Sequence, residues 1–321
     1  MPESIPLVKK YNPTRLDDIV GQVPVVTILK RWVDSFKAGK FDFPNLLFIG
    51  PPGCGKTATA KAFARELYGD DWAMSFRDYN ASDEVRMETV RVEIKNIAKS
   101  RPFSGINIIF MDEADNINAP AQYALRRIME DHYSITRFIL SANYPSKIIP
   151  PIRSRCGELY FGKLSDDEMK TLLRRVVTGE SYQITAPAAE LIIKAVGGKP
   201  RNLLNLLNCV VGLGKSVITP TEVNMFVYSV PEMLCRQMWS DIEAGKVPAA
   251  DLALIKLSNT GTPVEVVIDQ LFDIVAELGK NHDKLYPIFA EYTYRMAMGA
   301  SPLIQARALL WECGNALKEA K

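Results

Sequence analysis

Three short apolar runs mark the first half of the chain, each closed by polar or glycine-rich residues. Leu46-Leu47-Phe48-Ile49 stops at Gly50, the run from Ile106 to Met111 stops at Asp112-Glu113-Ala114-Asp115, and Phe138-Ile139-Leu140 stops at Ser141-Ala142-Asn143. Runs this short and unbroken predict strands buried on both faces. Between them, residues 58–68, 85–100 and 120–131 carry apolar positions at helical spacing. Strands alternating with helices predict an α/β fold with a parallel sheet covered on both faces, and ligands on such sheets bind beyond the carboxyl ends of the strands. The three polar clusters fall at those ends.

After Pro150-Pro151 the pattern changes to helical periods alone. Ser165-Asp166-Asp167-Glu168 has the order of a capping box, with Leu172, Leu173, Val176 and Val177 supplying the apolar face behind it. Short helices are expected around Thr185 and Glu190, over 201–211 and over 219–230. Beyond them, 233–244, 251–257, 264–278, 282–298 and 301–318 read as helices, most with Gly, Pro or Asn at their ends. The expected organisation is an α/β domain at 1–163, a small helical domain at 164–229 and an all-helical domain at 230–321. Length alone, at about 150 residues per domain, would give two for 321 residues.

Composition narrows the class. With 47% hydrophobic and 24% charged residues, the chain is neither collagen-like nor wholly disordered. Its longest apolar stretches are strand-sized, so no membrane span is expected. Lys and Arg number 39 against 37 Asp and Glu, so total charge says nothing of nucleic acid and only placement can. Five cysteines (Cys54, Cys156, Cys209, Cys235, Cys313), never as CxxC, and two histidines give no zinc pattern. The odd cysteine count and the absence of a leader-like start point to a reducing, intracellular compartment.

The chemistry concentrates after the first strand. Gly50-Pro51-Pro52-Gly53-Cys54-Gly55-Lys56-Thr57 matches GxxxxGK[ST] in full, with an apolar strand before it and a helix after. Its glycines let backbone N–H groups turn inward around phosphate, Lys56 reaches the β- and γ-phosphates, and the Thr57 hydroxyl is placed for Mg²⁺. The acidic pair closing the second strand complements it: Asp112 stands near the metal, and Glu113 orients or deprotonates the attacking water. Chemistry alone leaves Asn143 two roles, a γ-phosphate or water contact and a turn residue before Tyr144-Pro145. Arg155 and Arg201 are equally open, each able to neutralise a phosphoryl group or to form a surface ion pair. Cys54 belongs to the loop through its backbone N–H rather than as a reactive thiolate.

On these motifs the chain resembles the AAA+ ATPases and, within them, the small subunits of replication factor C, the sliding-clamp loader of archaea and eukaryotes. The opening segment from Lys10-Tyr11-Asn12-Pro13 to Asp18-Ile19-Val20-Gly21-Gln22, the P-loop, Asn80-Ala81-Ser82-Asp83, the box at 112–115, the run 138–143 and Ser154-Arg155-Cys156 follow one another in the family's order. The resemblance implies a RecA-like ATPase domain, a helical lid and a helical collar that joins five subunits in a ring. It assigns Tyr11 and Val20 to the adenine end of an ATP site, Asn143 to the first sensor, and Arg201 to the second sensor on the lid. Arg155 becomes a finger offered to ATP on the neighbouring subunit. Implied cofactors are ATP and Mg²⁺, and implied partners are the large subunit, other small subunits in a hetero-pentamer, the ring clamp and primer–template DNA. The compartment would be the cytoplasm of an archaeal cell, or the nucleus of a eukaryote.

Two departures, Val85-Arg86 after the Asn80 segment and Lys199-Pro200 before Arg201, point to a divergent second type of small subunit. They leave alive a largely structural ATP-binding subunit; an AAA+ DNA motor is the further alternative. For DNA, Arg91, Lys95 and Lys99 recur every four residues on one predicted helix, and Arg126 with Arg127 lies on the next. Such a stripe reads either as a solvated face or as a phosphate-backbone contact without base preference; the resemblance, which lines the ring interior with these helices, favours DNA. Clamp contact is expected near residues 113–130. Tyr286, Phe289 and Tyr292, three residues apart, read as helix packing rather than a base-stacking platform.

Overall fold

Asn45–Ile49 (β1) is the strand that the first apolar run predicts, and all five of its residues are buried. The computed structural model describes residues 5–40, 43–81, 90–103, 105–215, 217–227, 232–259 and 261–319. Ser82, Asp83, Val85 and Arg86 lie outside them, and Arg91 is described in its backbone only. The chain divides into two compact units, Met1–Val223 and Asn224–Lys321.

In the first unit, Val23–Lys37 (α1) precedes β1, and Lys56–Tyr68 (α2) follows it. Next come Phe76–Asn80 (β2), Asn107–Asp112 (β3), Ala119–Asp131 (α3), Thr136–Ala142 (β4) and Cys156–Tyr160 (β5). The five strands form one parallel sheet in the order β2-β3-β4-β1-β5. Side-chain alternation sends successive residues to opposite faces. Leu46, Phe48, Ile108, Phe110 and Ile139 join the core under α1 and α2, which supply Leu29, Val33 and Phe63. Leu47, Ile49, Ile109, Met111, Phe138 and Leu140 join the opposite core with Leu125 and Met129 of α3. Two apolar faces explain why β1, β3 and β4 read as continuous runs.

The edge strands did not read that way. β2 exposes its middle residues, and β5 buries only Leu159, so neither needs an apolar run. The helix expected over 85–100 is also different among the described residues: a π-helical turn, Val90–Ile94, runs into Lys95–Ala98. On α3, Gln122 is buried and fully bonded. Its amide donates to Ile117 O and Lys147 O and accepts from the Ile149 N–H, tying the helix to the segment that leads from β4 to β5.

The unit continues through Asp166–Gly179 (α4), Ala186–Val196 (α5) and Pro200–Val211 (α6). The capping box at α4 forms as the sequence predicts, with Ser165 N–H donating to Glu168 Oε2 at 2.8 Å and Ser165 Oγ accepting from Glu168 N–H. A two-stranded parallel pair, Gln183–Ile184 with Val217–Ile218, stands among these helices, and the helix expected over 219–230 ends at Asn224.

Among its described residues the second unit has helices and no strand: Glu232–Glu243 (α7), Val247–Asn259 (α8), Val264–Leu278 (α9), Tyr286–Ala297 (α10) and Pro302–Glu319 (α11). Trp239, Leu271, Phe289, Tyr292 and Leu309 share its core, with Tyr286 packed against them, so these aromatics fill the interior as expected. Gly314 lets α11 approach α8: a Cβ there would stand 2.3 Å from Val247 Cγ2. Arg307 of α11 donates twice to Asp251 of α8, at 2.7 and 2.8 Å.

Candidate nucleotide-binding and catalytic site

The parallel register brings three strand ends together. Ile49 is level with Ala142, and Met111 with Leu140, so Gly50, Asp112 and Asn143 leave neighbouring strands at the same edge of the sheet. Gly50 admits no side chain, because a Cβ would stand 2.3 Å from Phe161 O. Gly53 and Gly55 take φ of 81° and 102°, the left-handed turn that only glycine adopts without strain. They deliver the chain into the N-terminus of α2, where free N–H groups and the helix dipole favour an anion.

Lys56 is buried beneath that loop. Its Nζ donates to Gly50 O at 2.6 Å, Pro51 O at 3.0 Å and Asn143 Oδ1 at 2.9 Å. Burial holds the ammonium below the usual lysine range, opposed by the carboxylates Asp112, Asp115 and Glu113. Thr57 Oγ1 donates to Asp112 Oδ2 at 2.5 Å. This hydroxyl and carboxylate are hard oxygen donors of the kind Mg²⁺ takes beside phosphate. Glu113 follows at φ 52°, a left-handed conformation uncommon for a residue with a side chain, and its Oε2 accepts from Asn116 Nδ2 at 3.2 Å. Asp115 Oδ2 accepts from the Tyr144 N–H at 3.1 Å, which anchors the backbone beside Asn143. Cys54 is buried with Sγ directed at Pro51 O, and burial raises its thiol, so it is no thiolate.

A cavity of about 390 Å³ extends from the loop. Pro52 to Thr57, Asp112, Glu113 and Asn143 line one end, and Tyr11, Ile19, Val20, Leu172 and Leu204 line the apolar remainder. The arrangement suits a nucleoside triphosphate, with the base among apolar side chains and the phosphates on the loop. Arg201 joins this wall: α6 starts with Pro200 at its first position, which proline suits, and Arg201 Cβ would lie 3.5 Å from a Cβ on Gly53. Sequence reasoning missed Arg175, also on the lining, whose Nη1 donates to O of Asp18 in the opening segment at 2.6 Å. No motif signalled a contact between residues so far apart in the chain.

Arg155 lies elsewhere. It immediately precedes β5, whose Cys156 is in register with Asn45 at the start of β1. The P-loop begins beyond the other end of β1, so roughly 17 Å of strand separates the two levels, more than an arginine side chain spans. The Arg155 guanidinium pairs instead with Glu130 at the end of α3, Nε to Oε1 at 2.5 Å, and donates to Pro151 O at 2.7 Å. Of the basic residues singled out above, Lys95, Lys99 and Arg127 are exposed, Arg126 is half-buried with Nε lacking a partner, and only Lys95 and Lys99 are shown one helical turn apart.

Residues 46–164 match the model of the ATPase family associated with various cellular activities (AAA). The replication factor C small subunit of Halobacterium salinarum is 39% identical over 312 residues, covering 94% of each chain. That of Methanothermobacter thermautotrophicus is 35% identical over 313, covering 95% of this chain and 96% of its own. The chain belongs to the replication factor C small-subunit family. As an AAA+ protein of the replication factor C small-subunit family, it is an ATP-hydrolysing enzyme. A RuvB Holliday junction branch migration motor from Thermotoga maritima superposes with a TM-score of 0.58 at 22% identity, covering 76% of this chain and 85% of its own. That likeness shows a shared fold and nothing about DNA translocation. Among the described residues, no helix is long and apolar enough to cross a membrane.

Proposed function

We propose that this chain is a small subunit of a clamp loader, which uses ATP to open a ring-shaped clamp and place it at primer–template junctions. In this reading residues 1–163 form the ATPase domain, 164–229 the lid and 230–321 the collar that joins subunits. Gly50 to Thr57 hold the phosphates, Tyr11 and Val20 flank the adenine, and Thr57 with Asp112 hold Mg²⁺, which when bound neutralises phosphate charge. Glu113 takes a proton from the attacking water. Asn143 and Arg201 contact the γ-phosphate from the sheet and the lid.

The observation that carries the reading is the separation of Arg155 from its own P-loop by the length of a strand. A cation there serves phosphoryl transfer only on ATP held by a neighbour, which is what a ring of subunits supplies. Glu130 then stands in for that phosphate in the single chain. The partners are a large subunit, other small subunits and the clamp, in the cytoplasm of an archaeal cell. Mass measurement after size exclusion is expected to give a multi-subunit complex with a large subunit, and clamp plus primed DNA are expected to stimulate its ATP turnover. A chain that stays monomeric with every candidate large subunit, and hydrolyses ATP at full rate alone, would defeat the proposal.

The DNA contact assigned to Arg91, Lys95 and Lys99 has its own test. Changing all three to alanine is expected to weaken primed-DNA binding equally across sequences and to lower the salt slope by about 2 to 3, with ATP binding unchanged. Titration at several salt concentrations measures it, and an unaltered slope returns Arg91, Lys95 and Lys99 to a solvated face.

A further inference from the structure

The segment ahead of α1 runs along the cavity and changes partners as it goes. At its start Leu7 is buried, and its N–H donates to Asn208 Oδ1 of α6 at 3.4 Å. The Tyr11 hydroxyl then donates to Glu180 Oε1 at 2.7 Å, just past the end of α4, and Lys10 Nζ lies 2.7 Å from the same oxygen. Further on the partners belong to the sheet side. Leu16 is fully buried, its N–H donates to Glu66 Oε1 of α2 at 2.7 Å, and Asp17 pairs with Lys30 of α1. Between these anchors Val8, Lys9, Tyr11, Asn12 and Pro13 line the cavity. Gly179 makes room for the contact, since a Cβ there would stand 2.2 Å from Tyr11 Oη. Burial and the bond to Glu180 push the Tyr11 phenol up to about 12, so the hydroxyl keeps its proton to donate.

We infer that Glu180 is a positioning residue for the nucleotide: its carboxylate, beside the open space at Gly179, fixes Tyr11 against α4 so that residues 7–13 form a strap retaining bound ATP. The inference rests on the cavity being the ATP site. Glu180 touches no nucleotide and acts through Tyr11. Release of ATP then requires the strap to part from α4, so the contact governs residence time more than the chemical step.

Release of a fluorescent ATP analogue from the full chain, chased with excess ATP in a stopped-flow instrument, tests this. Tyr11→Phe and Glu180→Ala are each expected to speed release roughly ten- to 150-fold, the range for one hydrogen bond to a charged acceptor. The double variant should release no faster than Glu180→Ala alone, because that change already removes the Tyr11 bond together with the Lys10 pair. Glu180→Gln keeps an acceptor and is expected to restore slow release. Gly179→Ala displaces the hydroxyl while favouring the helix, so release should quicken with Tm kept or raised. A role in packing alone would lower Tm together with retention and would not be rescued by glutamine. Parental release rates in Tyr11→Phe and Glu180→Ala, with analogue binding still lost in Lys56→Ala, overturn the strap and leave the site standing. Binding indifferent to Lys56→Ala overturns both.

Discussion

Glu113→Gln is expected to bind ATP as the parent chain does while hydrolysing it on the order of 10²- to 10⁴-fold more slowly. Glutamine keeps the size of the side chain and an oxygen for the Asn116 amide, but cannot take a proton from water at neutral pH. Lys56→Ala is the counterpart. It removes an ammonium that already sits among Gly50 O, Pro51 O and Asn143 Oδ1 beneath the loop. At about 3 kcal/mol for a charged hydrogen-bond donor, affinity should fall roughly a hundredfold. Equilibrium binding of a labelled nucleotide, paired with phosphate release, separates the two. Equal loss of binding in both variants would mean that the roles are misassigned.

Arg155→Ala is expected to leave this chain's own ATP affinity nearly intact and to lower hydrolysis by the assembled complex on the order of 10³-fold, the usual worth of an arginine supplied to a phosphoryl group. Mixing supplies the control. A Lys56→Ala subunit holds ATP roughly a hundredfold more weakly yet still offers Arg155, so at ATP concentrations that fill only the intact sites turnover should return only at interfaces pairing an intact P-loop with an intact Arg155. The bond to Glu130 gives the competing account, in which Arg155 only braces its own domain. Under that account, loss of activity would accompany a lower Tm and appear equally in the isolated subunit. Arg155-dependent turnover in a proven monomer would end the assignment in trans.

What the sequence disclosed followed from burial. β1, β3 and β4 are covered on both faces and announce themselves as apolar runs, and the P-loop and acidic pair follow directly from their ends. β2 and β5 are edges that bury only Phe76 and Leu159, so Phe76-Arg77-Asp78-Tyr79-Asn80 and Cys156-Gly157-Glu158-Leu159-Tyr160 carry no comparable pattern. In the second unit, helix periods located α9 to the residue, because its buried face recurs without interruption. The far wall of the cavity was the least legible part. Arg175 and Asp18 meet across 157 positions, and Glu180 meets Tyr11 across 169, so nothing local marks them. Tyr11, Val20 and Arg201 were legible as cavity residues through family likeness rather than through their own chemistry. For Arg155 the motif named the residue, but only the register of β5 on β1 showed why it cannot serve its own nucleotide.

That register also makes the molecule polar as a building block. The carboxyl end of β1 carries the phosphate loop, and the amino end of its parallel neighbour β5 carries the guanidinium. Two copies related by a twofold axis would present like to like, whereas the proposed service of Arg155 to a neighbour's nucleotide requires head-to-tail stacking with a heterologous contact. Such stacking has a direction, and any arc of it that does not close ends in one chain whose loop lacks a neighbour's arginine and another whose arginine faces no nucleotide. With Arg155 acting in trans as proposed, an open arrangement holds one fewer complete catalytic centre than it has subunits, and the end positions become chemically distinct even when every chain is the same.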